Sequence, residues 1–93
     1  MIKSFKCYET KKIWESEVSK KLPYDIQQVA RRKLRMLNNA QNLNDLTIPL
    51  ANRLESLKGN RAGQFSIRVN NQWRICFLWN KGDAFEIEII DYH

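Results

Sequence analysis

His93 is the only histidine in the chain, and it follows directly on an acid and a phenol in Asp91-Tyr92-His93. Arg68 and Arg74 flank Asn70-Asn71-Gln72 in the run SIRVNNQWRI. Brought to one place, these side chains form an acid/base-plus-phosphate set. It holds a base for a 2′-OH, cations for a phosphorane and an acid for the leaving oxygen. That is the chemistry of RNA cleavage. The cationic loop Lys58-Gly59-Asn60-Arg61-Ala62-Gly63 lacks the GxxxxGK[ST] spacing of a nucleotide-binding phosphate loop. Cys7 and Cys76 make no metal-ligand spacing with His93, so neither a metal nor another cofactor is expected.

Two alternating runs have to position this set. Phe65, Ile67 and Val69 alternate with Ser66, Arg68 and Asn70; Trp73, Ile75, Phe77 and Trp79 alternate with Arg74, Cys76 and Leu78. Period two with one apolar set places one strand face on a core and leaves the other free. A two-residue loop at Asn70-Asn71 would set Ile67 opposite Arg74 and mix the faces. A three-residue loop pairs Val69 with Trp73, Arg68 with Arg74, Ile67 with Ile75 and Phe65 with Phe77, and a buried face selects that register. Two arginines then oppose each other on the non-core face, which is unfavourable without an anion between them. A phosphate would answer this, as would guanidiniums splayed into solvent or paired with carboxylates.

The last strand runs through Phe85, Ile87 and Ile89. Setting Trp79 opposite Phe85 and Phe77 opposite Ile87 puts Ile75 opposite Ile89 and Arg74 opposite Ile90. The end of the chain then lies beside Arg68 and Arg74, with Tyr92 on the arginine face. Asp91 and His93 have core-face parity where that face opens at the sheet end. A frayed terminus is the usual fate of such residues, but the apolar strand feeding into them argues against it.

Earlier elements complete the frame. Residues 2–7 read as a short strand, and Glu9 to Val18 as a short amphipathic helix using Ile13, Trp14 and Val18. Pro23 opens a helix running to Asn39, with Ile26, Val29, Ala30, Leu34 and Leu37 on one face. Its other faces carry Arg31, Arg32, Lys33 and Arg35, as a solvated surface or as non-specific phosphate attraction. Residues 40–51 read as a loop with one helical turn around Leu43–Leu46, residues 53–58 as a strand, and Lys81-Gly82-Asp83 as a turn. The class is α+β: two N-terminal helices packed on one face of a small, mainly antiparallel sheet.

Ninety-three residues suit one domain spanning 1–93. Sixteen Lys and Arg against ten Asp and Glu give a net charge of +6, which favours a polyanionic partner or an acidic protein. The cysteines read as reduced, buried thiols. No apolar leader or membrane-length run is evident, so a cytoplasmic protein without a membrane partner is expected.

The pattern N-R-L-E-x-L-K-G-N-R-x-G-Q-x-S-I-R-V-N-x-Q-W-R-I-C-F, ending in E-I-x-D-Y-H, resembles the HigB toxins of the RelE superfamily. The opening I-K-S-F-K and the helical A-R-R-K-L-x-M-L match as well, so the likeness covers nearly the whole chain. It implies a compact microbial-ribonuclease-like fold and a ribosome-dependent mRNA endonuclease that cuts message in the A site. It also implies neutralisation by a HigA-type helix-turn-helix antitoxin, in a complex that binds operator DNA. The family's phosphate-binding lysine falls on Lys58, its arginine on Arg74, and its terminal triplet on Asp91, Tyr92 and His93. Some members have a histidine where this chain has Glu55. A glutamate can still act as a base, or it can pair with Arg53 or Arg68. Arg68 and Arg61 are RNA-binding candidates rather than catalytic groups.

Two other readings share these features: a gyrase poison of the same fold, as in the related ParE group, and a non-catalytic basic module that binds nucleic acid or protein. Retention of Lys58, Arg74 and the Asp-Tyr-His end favours the endonuclease, because neither alternative needs that set.

Overall fold

A computed structural model describes residues 1–91; Tyr92 and His93 lie outside the described residues. Four strands, β1 (Glu55–Ser56), β2 (Phe65–Arg68), β3 (Trp73–Asn80) and β4 (Asp83–Asp91), form an antiparallel sheet in the order β1-β2-β3-β4. Helices α1 (Tyr8–Trp14) and α2 (Tyr24–Asn39) precede it in the chain. Both pack on one sheet face: Ile13, Ile26, Ala30, Leu34 and Leu37 share a core with Ile67, Ile75, Phe77, Ile87 and Ile89.

The central hairpin has the register that parity requires. Phe65 opposes Phe77, Ile67 opposes Ile75 and Arg68 opposes Arg74. The Val69 N–H donates to the Trp73 carbonyl at 2.9 Å, closing a loop of Asn70-Asn71-Gln72. Asn70 holds that loop from inside: its Oδ1 accepts from the backbone of Gln72 and of Trp73, each at 2.8 Å. Asparagine is favoured here because its short side chain mimics a backbone turn.

The β3–β4 register departs from simple parity. Arg74 opposes Ile90 and Ile75 opposes Ile89 as expected, but Trp79 opposes Ala84, and Phe85 falls opposite Leu78. A β-bulge between Cys76 and Leu78 inserts one extra residue on β4, where Glu86 has φ +50°. Beyond it the faces exchange, so Ala84 enters the core and Phe85 turns to the other face. Ser4 secures the bulge by accepting the Glu86 N–H on its hydroxyl at 2.9 Å. The segment expected as a strand over residues 2–7 makes only two isolated parallel bridges to β4, Ile2 to Ala84 and Phe5 to Ile87. With the Ile89 N–H donating to Thr10 Oγ1 at 3.0 Å, these contacts cover an edge of β4 that would otherwise invite foreign strands.

Helix α1 is shorter than its apolar spacing suggested. It stops at Trp14 because Ser16 takes φ 65°, while Ser16 and Glu17 donate back to Ile13 and Lys12 at 3.1 and 2.8 Å. These are the two bonds of a Schellman stop, a position usually held by glycine. Val18, expected on the buried face, is therefore exposed. Helix α2 matches its predicted span, with Pro23 as its cap. Gln27 ties the inter-helix loop to it, donating to the carbonyls of Ser19 and Leu22 and accepting from the Ser19 N–H. Lys33, expected in the solvated basic face, is buried.

Residues 40–51 fold more than expected, into 3₁₀ turns at Leu43–Thr47 and Leu50–Asn52. Asn42 and Asp45 cap the first reciprocally. The strand expected over 53–58 pairs only at Glu55 and Ser56. The second sheet face is not free either: Ser66, Arg74 and Cys76 are buried on it. The loop between β1 and β2 closes over this face. It holds a 3₁₀ turn at Gly59–Arg61, and Arg61 reaches Glu88 on β4 at 2.8 Å. Beneath it, burial pushes the Cys76 thiol above its ordinary range.

Candidate active site

Arg74 anchors the site. It stands near the turn end of β3, and its side chain is only 7% exposed. The Nε–H donates to Ser66 Oγ at 2.7 Å, and one terminal nitrogen donates to the carbonyls of Arg53 and Ser66 at 2.5 and 3.3 Å. The other terminal nitrogen lies 3.7 Å from a carboxylate oxygen of half-exposed Glu55. A guanidinium gripped on several sides keeps one orientation, and here the grip turns its second terminal nitrogen toward Glu55. Arg53 can offer its carbonyl this way because it adopts a left-handed conformation, φ 44° and ψ 57°.

Beside this arginine lies a concavity of about 270 Å³ lined by Arg53, Arg68, Asn70, Asn71 and Arg74. Three arginines line it, and no carboxylate is among its described lining residues. Arg68, opposite Arg74 in the ladder, is steadied by a hydrogen bond to Asn71 Oδ1. The opposed-arginine argument thus has a physical counterpart in a cationic recess suited to an anion. Its expected exposed face has not held, however, because the loop carrying Arg53 covers Arg74. Arg53, Asn70 and Asn71 were not among the expected site residues. The asparagines read only as turn formers, and nothing in the residue types announces the left-handed turn that brings Arg53 in.

The remaining expected residues divide. Glu55 is brought to Arg74, and Arg68 to the recess. Asp91 opposes Trp73, one step from Arg74 along β3, and accepts from Gln72 Nε2 at 2.8 Å. Lys58 is exposed at the start of the 59–61 turn. Arg61 is bound to Glu88 and to Gln64 Oε1, at 2.8 and 3.1 Å, and the Glu88 bond holds its guanidinium above the ordinary arginine range. That anchorage ties the 59–61 turn to β4 and leaves about a third of the Arg61 side chain, 35%, exposed. Tyr92 and His93 lie outside the described residues. Among the described residues no cluster of three or more His, Cys, Asp or Glu could hold a metal ion.

Residues 3–93 match a family of proteins described as the RelE-like toxin of type II toxin–antitoxin system HigB. The chain belongs to the HigB-like toxin family. It is 36% identical over 94 residues to Endoribonuclease HigB of Proteus vulgaris, an alignment spanning all of both chains. It is 48% identical over 63 residues to Toxin HigB-1 of Vibrio cholerae, covering 68% of this chain and 66% of that protein. In three dimensions this HigB-like toxin is similar to a crystal structure of a histidine-to-glutamine mutant of Escherichia coli YafQ. The TM-score is 0.67 at 13% identity, over 99% of this chain and 92% of the other. At that identity the likeness establishes the shared fold, two helices against a four-stranded antiparallel sheet. The HigB-like toxin is thus a type II system toxin whose end-to-end relative is an endoribonuclease.

Proposed function

We propose that this chain is a ribosome-dependent mRNA endonuclease that cuts message in the A site and so arrests translation. The observation that carries the reading is the arginine-lined recess with Glu55 beside Arg74, in a member of a toxin family. In the proposed reaction the 2′-oxygen attacks the scissile phosphorus, forming a new O–P bond while the bond to the 5′-oxygen breaks. Glu55 takes the 2′ proton. Arg74 and Lys58 balance the charge that builds on the phosphorane, and Arg68 holds the flanking phosphate in the recess. Asp91, Tyr92 and His93 complete the site, His93 protonating the departing 5′-oxygen. The products are a 2′,3′-cyclic phosphate and a 5′-hydroxyl, with no metal or other cofactor consumed.

With one histidine in the chain, strong acid/base groups are few. In-line placement of the 2′-OH is therefore left to the ribosome, where positioning alone is worth several orders of magnitude in rate. A HigA-type helix-turn-helix antitoxin neutralises the toxin, and operator DNA is bound only through that complex. The chain acts in the cytoplasm; among the described residues no helix is long and apolar enough to cross a membrane. Primer extension on mRNA, with and without programmed ribosomes, tests the reading. Cuts within A-site codons only when ribosomes are present are expected; rapid cleavage of naked RNA would overturn it.

A further inference from the structure

Helix α2 turns one of its lysines inward. The Lys33 ammonium donates to Oδ1 of Asn52, and the two residues are 5% and 0% exposed. The Asn52 amide donates in turn to the Leu46 carbonyl at 3.2 Å. Burial, and to a lesser degree the like charge of Arg32, pushes Lys33 below the ordinary lysine range. Stability alone does not call for such a pair, since apolar residues of similar volume commonly do as well. Its position in the chain suggests another reason. Asn52 ends the 3₁₀ turn Leu50–Asn52, and the next residue is Arg53, whose carbonyl holds Arg74. A left-handed residue other than glycine persists only where its surroundings over-determine it. Asn52, tied both to α2 and to the 43–47 turn, supplies that constraint immediately before Arg53.

We propose that Lys33 and Asn52 are positioning residues. Their buried hydrogen bond fixes the 50–52 turn, holds Arg53 in its left-handed conformation and thereby keeps the Arg74 guanidinium aimed at the recess. The catalytic consequence rests on reading that recess as the cleavage site; the geometric consequence does not. Neither residue lines the recess, so their effect must pass through Arg53 and Arg74.

The test compares Lys33→Met, Asn52→Leu and the double variant with the wild-type chain. Melting temperature, single-turnover cleavage on programmed ribosomes and the NMR resonance of the Arg74 Nε–H are measured for each. That resonance is assigned by its loss in Arg74→Lys. Each single variant orphans a buried polar partner and should melt lower, whereas the double removes both members of the Lys33–Asn52 bond and should recover part of the loss, the Leu46 carbonyl alone staying without its donor. The cleavage rate is expected to fall by about 10²-fold, the scale of a small misplacement of a catalytic group, with little change in the ribosome concentration giving half-maximal rate. It should stay low in the double, where the Arg74 resonance remains shifted or broadened. If Lys33→Met does not fold, the double decides. Recovery of rate together with melting temperature, or an unmoved Arg74 resonance, overturns the proposal. Should the wild-type chain fail to cut on ribosomes, the cleavage reading falls and the resonance alone judges the positioning.

Discussion

Arg74→Ala should separate the chemistry of the recess from its stability, because the structure sets the size of both effects. The change leaves a hydroxyl and two backbone carbonyls, those of Ser66 and Arg53, without the donors they have now. An orphaned buried acceptor costs about 1–3 kcal/mol. The adjoining recess lets solvent satisfy part of the loss, so the total is about 2–4 kcal/mol. Breaking the contact with half-exposed Glu55 adds little. For a domain of this size the melting temperature should then fall by roughly 10–25 °C. A domain of ordinary stability, about 5–15 kcal/mol, stays folded at 25 °C after such a loss. Cleavage should fall further, by about 10²–10³-fold, as when one donor to a developing oxyanion is deleted. Circular dichroism melts and single-turnover cleavage on ribosomes at 25 °C, with Arg74→Lys alongside, are the assays. Arg74→Lys should lose less in both, since it keeps the charge but not the fork. A folded Arg74→Ala that cuts at the wild-type rate would refute the placement of the site.

Two further outcomes follow from the same site. Lys58→Ala changes an exposed residue, so its stability in melts should stay within about 0.5 kcal/mol of wild type while cleavage drops; equal losses of stability and rate would make Lys58 structural. Removing His93 should lower single-turnover cleavage with melts unchanged, and an unaltered rate would take the imidazole out of the reaction.

The hairpin was legible because only an odd loop keeps Ile67 and Ile75 on one face, and a buried face tolerates no slip. Helix α2 was legible for a similar reason: its apolar stripe and Pro23 agree on one span. The bulge was not, since a glutamate at positive φ leaves no mark in residue type, and from Phe85 back to Asp83 parity then fails. The end of α1 was hidden because Ser16 occupies a position that glycine would have announced. The recess was half legible. Parity brings Arg68 to Arg74, but the cover over Arg74 comes from Arg53 by a fold of the chain that no local pattern contains. Lys33 misled for the same non-local reason, its partner lying nineteen residues on.

The docking of the first residues against β4 has a bearing on synthesis. Contacts from Met1, Ser4 and Thr10 to the last hairpin span sequence separations of 79 to 82 residues. Pairings of such range form late and slowly. A nascent chain stopped before β4 has no edge on which its own beginning can dock, and it lacks one of the two strands that flank Arg74. Prematurely terminated fragments of this toxin should therefore be harmless and quickly degraded.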